Sequence, residues 1–220
     1  MLLNSKGIGF NPVIRCESTA KNMNASETVY ANVAIPKVLK ALEFENVTPT
    51  TEMERFLALR ADGKMAIDHF IKDKEGTMAS LQTRFRAPRY GKFGDFTIRY
   101  DKPSAQAYTG GSVNCEYHHF NADTMLYGIC NTDLNEDPTK VTDLDKWVFV
   151  NVVEFRRLCK AGKIVQKEEK GFYRCKEENG KLICPINSNA GDADTRFTTV
   201  DVKLANKMFP SLILAQKGYL

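Results

Sequence analysis

The stretch MAIDHFIKDKEGTMASLQTRFR, residues 65–86, decides how this chain is read. Two runs of alternating, β-prone residues flank a polar turn, the pattern of an antiparallel hairpin. The three residues Lys74-Glu75-Gly76, with Gly76 left-handed, form a common closure for such a hairpin. This closure pairs Asp73 with Thr77 and predicts a register in which opposing residue numbers sum to 150. Asp68 then lies opposite Gln82, with Arg84 two residues further along the same face. The other face carries Met65, Ile67, Ile71, Ala79, Leu81 and Phe85, enough to anchor the hairpin in a core. A carboxylate, a neutral carbonyl donor and a fixed cation grouped this way suit a metal-dependent phosphodiesterase site. The alternative is a half-buried hairpin whose polar face makes ordinary cross-strand ion pairs.

Length and composition bound the rest. The chain has 220 residues, 43% apolar and 26% charged, which is globular and long enough for a sizeable core. A net charge of +4 decides little, so its distribution matters more. Residues 84–102 hold Arg84, Arg86, Arg89, Lys92, Arg99 and Lys102 against only Asp95 and Asp101. Tyr90, Phe93, Phe96 and Tyr100 are interleaved with them. Cations neutralise phosphates and aromatic rings stack on exposed bases, so Arg86, Arg89, Tyr90, Lys92 and Arg99 are candidate nucleic-acid contacts. The competing reading makes the aromatics core residues of a strand.

These features together resemble the PD-(D/E)XK nuclease superfamily. Its motif is an Asp on one strand, followed on the next by an acid or Gln, any residue, and Lys or a substitute. The match here is Asp68 with Gln82-Thr83-Arg84, a Q-x-R variant, and the resemblance extends over about residues 20–160. It is most similar to a phage- or mobile-element-type branch. The resemblance implies an α/β fold, a mixed central sheet flanked by helices, in a core of residues 1–162 with a small β-hairpin extension over 163–220. It implies a divalent-metal-dependent endonuclease acting on DNA, with Mg²⁺ (or Mn²⁺) held by Asp68 and Gln82. A carboxylate from the first helix would complete the site, Glu27 first and Glu54 as its rival. Arg84 cannot serve as a base, because a guanidinium stays protonated; its role would be to hold a phosphate oxygen. The sequence departs from the pattern at the second acid and at the Lys. The alternative is therefore a nucleic-acid-binding protein that keeps the fold and does not cut.

Along the chain, a helix is expected over 26–43, interrupted at Pro36, then a shorter helical unit within 44–64. FGDFTIRYD (93–101) reads as a third strand antiparallel to the second, and strands follow at 124–130 and 147–151. A helix is expected at 153–161. TRFTTVDVKLANKMF loosely echoes WVFVNVVEFRRLC in its order of strand, Asn or Asp, and helix. Asn179-Gly180 marks a type I′ hairpin whose paired numbers sum to 359, setting Cys175 opposite Cys184. Cys115, His118, His119 and Cys130 are metal-competent, but their spacing departs from usual zinc motifs. No apolar run reaches the roughly eighteen residues of a membrane helix, and the start MLLNSKGIGFNP lacks the core of a secretory signal. The expectation is an intracellular (cytoplasmic) chain with reduced cysteines and no membrane partner, with a homodimer as one possible state.

Overall fold

The structure, a computed structural model, describes residues 24–55, 57–58, 67–101, 117, 120–189 and 192–219. It is mixed α/β. The first helix, α1 (residues 24–42), starts as an α-helix and continues as a π-helix over Tyr30–Leu39, ending in a 3₁₀ turn over Lys40–Leu42. Pro36 sits inside the π segment. A proline has no N–H to donate and its ring clashes with the carbonyl four residues back. Wider winding relieves that conflict, so the helix carries on past Pro36 where an interruption was expected. Ala25, Val29, Tyr30, Val33, Ala34, Val38 and Leu39 form its buried face.

The region after α1 is not wholly helical. Glu45–Val47 is a short strand, β1, and a short helical stretch begins at Glu52. β2 (His69–Lys72) and β3 (Met78–Arg86) form the expected hairpin in the expected register, with His69 opposite Leu81 and Lys72 opposite Met78. Asp73 N–H donates to Thr77 O at 3.1 Å, and Gly76 has φ 84°.

Beyond β3 the chain changes sheets. β4 (Asp95–Asp101) does not pair with β3, as its position in sequence suggested; it pairs with β10 (Asp192–Asp201) in a second sheet. The place beside β3 goes to β5 (Thr124–Cys130), in parallel, and β5 then pairs antiparallel with β6 (Leu144–Asn151). α2 (Val152–Lys160) follows β6, and α3 (Val202–Met208) follows β10. β7 (Ile164–Lys167), β8 (Lys176–Glu178), β9 (Lys181–Asn189) and β11 (Ile213–Lys217) complete the strands. The first sheet has the order β1-β2-β3-β5-β6-β11; the second has β4-β10-β9-β7, with β8 also on β9.

The segment from 163 onward is therefore more than a hairpin appended to a finished core. β10 lies beside β4 and β11 beside β6, so both sheets need it. The faint echo in sequence corresponds to two matching units. In each, a strand pair leads through an Asn or Asp cap into a helix. Asn151 Oδ1 accepts from Glu154 N–H at 3.0 Å, and Asp201 Oδ1 accepts from Leu204 N–H at 2.7 Å. Val152 N–H bonds Asp123 O, and Val202 N–H bonds Gly94 O, each at the foot of the neighbouring strand. The chain then changes sheets in opposite directions, β6 to β7 and β10 to β11.

Two cores result. One lies between α1 and the first sheet, around Ile71, Leu81, Phe85, Leu126 and Phe149. The other joins both sheets with α2 and α3, through Phe96, Ile98, Tyr127, Val150, Phe155, Leu182, Val200 and Ala205. Each fully buried large apolar side chain contributes about 1.5–3 kcal/mol. Among the described residues no helix is long and apolar enough to cross a membrane.

The β8–β9 register follows the Asn179-Gly180 turn, with Lys176 opposite Ile183 and both turn residues at positive φ. Cys175 and Cys184 occupy the next position and both are free thiols. The Cys184 thiol is pushed well above its ordinary value by its hydrogen bond with Cys175 and by burial. Mild oxidation with a diamide should join these two, read as a cross-linked peptide pair by mass spectrometry. A Cα separation beyond about 7 Å forbids such a bridge without backbone movement, so an unlinked pair would contradict this register.

Candidate functional site

Asp68 stands where the β2–β3 ladder stops. Its N–H still donates to Leu81 O at 3.0 Å. Its carboxylate, however, accepts from Thr83 N–H at 2.7 Å and from the Thr83 hydroxyl at 3.2 Å. A charge-assisted bond to a backbone amide is strong, so the acid occupies a ladder position and ends strand pairing. Ile67, just before it, belongs to the other core from Ile71, which marks the loss of alternation.

This carboxylate belongs to the α1 side of the sheet. There Tyr30 lies flat on His69, with ring centroids 3.5 Å apart and planes 10° apart. Glu27 Oε1 is 3.7 Å from His69 Nε2, and Thr83 Oγ1 is 3.4 Å from the same nitrogen. The Tyr30 hydroxyl donates to Asn46 Oδ1 at 2.9 Å. Burial drives His69 down to about 4, so it is neutral at physiological pH. Burial also raises Tyr30, and the charges of Glu27 and Asp68 raise it further. Glu27 and Asp68 thus share a neighbourhood. Glu54 does not join it: its carboxylate accepts from the N–H groups of Thr50 and Thr51, and Glu54 N–H bonds Thr51 Oγ1 in return. This is a capping box, and those hydrogen bonds hold Glu54 down to about 2.

Gln82, Arg84 and Arg86 face the other way. They pair in register with Met125, Tyr127 and Ile129, whose side chains line the core between the sheets. Gln82 is only 5% exposed, and its Oε1 has no hydrogen-bond partner among the described residues. The expected pair of metal ligands is therefore split across the strand: Asp68 turns to the α1 side and Gln82 to the inter-sheet side. Among the described residues no three His, Cys, Asp or Glu side chains are grouped to hold a metal ion.

The basic-aromatic segment divides likewise. Arg86 is largely buried, its Nη2 donating to Thr97 Oγ1 on β4 at 3.3 Å, and desolvation lowers it from its ordinary value. The chain then passes through a 3₁₀ turn, Pro88–Tyr90. The guanidinium groups of Arg86 and Arg89 each stand 5.1 Å from the centroid of the Tyr90 ring. Arg89 is exposed and bonds Asp133 at 2.8 Å. Lys92 lies 5.2 Å from the ring centroid of Phe93, which is 53% exposed. Lys146 Nζ donates to Gly91 O at 2.8 Å and so straps the turn to β6. Arg99 is exposed on β4, roughly 13 Å beyond the strand start at 3.3 Å per residue. Phe96 is a core residue, fully buried.

Behind the turn lies a group that residue patterns alone did not single out. Asp95 faces Asp201 across the β4–β10 pair. Burial pushes Asp95 up to about 6, and the Asp201 charge adds to this against Arg86 and Arg174. Tyr127, 1% exposed, lies beside Arg86 and Thr97. The sequence marks Asp95 only as one acid among many cations. Its partner is about a hundred residues away, so local pattern carried no signal. Of the zinc candidates, Cys115, His118 and His119 lie outside the described residues. Cys130 is a core thiol, pushed up to about 12 mainly by burial.

Comparison with protein-family models, with curated proteins and with solved structures finds no match to this chain.

His69 gives the site a testable pH signature. Its folded value near 4 lies below the unfolded 6.5. Its contribution to stability is therefore full above pH 6.5 and fades as pH falls toward 4. Urea denaturation across that window should show stability falling by at most roughly 3 kcal/mol from this group. His69→Gln should flatten the slope. An unchanged slope would mean His69 is not buried as described.

Proposed function

We propose that this protein binds nucleic acid through the turn at residues 86–93 and the adjoining face of β4. The observation that carries the reading is the exposed array of Arg89, Lys92 and Phe93 beside cation-stacked Tyr90. Cations spaced along a surface neutralise successive phosphates and release counterions. An exposed ring offers a base a stacking surface worth about 1–3 kcal/mol. Tyr90 is held by two guanidinium groups and Gly91 by Lys146, so the platform is fixed before any ligand arrives. The resemblance of Asp68 and Gln82-Thr83-Arg84 to the nuclease superfamily makes DNA the first ligand to test. Fluorescence anisotropy with labelled single-stranded and duplex DNA should show binding that weakens with salt. Phe93→Ala should weaken it about tenfold, one stacked base. Replacing both Arg89 and Lys92 by Ala should lower the salt slope by about two. Binding that ignores salt and all three residues would end this reading.

A second reading, metal-dependent cleavage, is favoured by one observation: Glu27 lies 3.7 Å from His69 Nε2, and Asp68 accepts from the Thr83 hydroxyl 3.4 Å from the same nitrogen. Mg²⁺ keeps several waters and needs only one or two protein carboxylates, so these two acids, without Gln82, are the donors to test. Incubation of plasmid with the protein and Mg²⁺ or Mn²⁺ decides it. Cleavage that requires the ion and disappears in Asp68→Ala upholds the reading. Plasmid left intact under both ions, with binding retained, leaves the non-cutting protein.

A further inference from the structure

We propose that Asp95, set between Asp201 and Arg86, forms a proton-operated control on the Tyr90 turn, tightening nucleic-acid binding when Asp95 takes up a proton. The proposal rests on the binding role given to that turn and adds its regulation. Four observations carry it.

First, the acids are not required by the fold. The matching unit places Thr124 opposite Asn151, and Asn151 caps its helix as Asp201 does. The same structural task is done there without a charge. Second, Asp95 and Asp201 are direct cross-strand neighbours. The Asp201 charge so placed disfavours ionisation of Asp95, most strongly where water is excluded. Third, Arg86 links this pair to the surface. It lies within electrostatic reach of Asp95, donates to Thr97 and carries the Tyr90 ring at 5.1 Å. Fourth, the site holds spare hydrogen-bonding capacity. Buried Nε of Arg86 and the hydroxyl of Tyr219 have no partner among the described residues.

The groups around Asp95 come from every neighbouring element. Thr97 shares its strand, Asp201 faces it from β10, and Arg86 and Tyr127 approach from the first sheet. Arg174 precedes β8, and Tyr219 approaches from the end of the chain with Lys146 5.7 Å from its ring centroid. Among the described residues the one histidine, His69, lies on the α1 side of the first sheet. When ionised, Asp95 offsets the charge of Arg86. Uptake of a proton by Asp95 removes that offset. Arg86 is left to Thr97, Tyr127 and the Tyr90 ring, and the potential at the turn becomes more positive. Phosphate binding then strengthens.

Two readouts on the full chain test this: hydrogen exchange of residues 87–94, corrected for intrinsic rate, and binding of labelled single-stranded DNA. Both are followed across pH 6, for the wild type, Asp95→Asn and Asp201→Asn. The wild type should show a step in exchange and a several-fold gain in affinity on the acid side. Asp95→Asn should lack the step and bind tightly throughout. Asp201→Asn keeps the helix cap and should move the step to lower pH. A step that persists in Asp95→Asn, or exchange that is equal on both sides of pH 6, overturns the control. A step in exchange with no DNA bound at any pH upholds the control and overturns the nucleic-acid role of the turn.

Discussion

The parallel pairing of β3 with β5 is the constraint from which the rest of the architecture follows. Two adjacent parallel strands cannot be joined by a tight turn; the chain must leave the sheet and return. Here the departure includes a strand of the second sheet. The chain exits at Arg86, turns through Pro88–Tyr90, lays down β4 beside β10, and comes back to form β5. β4 needs β10 as its neighbour, and β11 must return to β6, so neither sheet is complete until the end of the chain has arrived. This accounts for the high share of pairings between distant segments and predicts cooperative unfolding.

The same exit places charge inside the molecule. β3 ends with Arg84 and Arg86 on the face turned toward the second sheet, and β4 begins with Asp95 on the strand that faces them. An arginine buried without partners is costly. Arg86 is accommodated by Thr97, Tyr127, Tyr90 and the field of Asp95. The turn that carries the exposed cations is therefore not an independent surface loop. It is anchored from within by Arg86 and from the side by Lys146.

Much of the local structure was legible because hairpins declare themselves. The Lys74–Gly76 closure and the Asn179-Gly180 turn each set a register that the structure retains residue for residue. The loose echo of strand, Asn or Asp, and helix was visible too, and in the structure its Asn151 and Asp201 cap the two helices. What local pattern could not supply was the identity of a strand's neighbour. Residues 93–101 read well as a strand, yet nothing in them distinguishes β3 from β10 as partner. Asp68 and Gln82 parted for a related reason. Placing Asp68 with Gln82 assumes alternation continues to the end of the ladder, but the Asp68 carboxylate replaces the next backbone acceptor for Thr83 and turns to the α1 side. His69 and Tyr30 were passed over because one His on an apolar strand gives no signal until a helix from elsewhere stacks on it.

In the proposed role, nucleic acid contacts the turn at 86–93, and the Glu27–Asp68–His69 cluster on the far side of the first sheet does not touch it. Photo-cross-linking with a halogenated single-stranded DNA, followed by mass-spectrometric mapping of the linked peptides, tests that claim directly. Cross-links at Tyr90 or Phe93 are the predicted result. Cross-links confined to peptides containing Tyr30 or His69, with none in the turn, would contradict it.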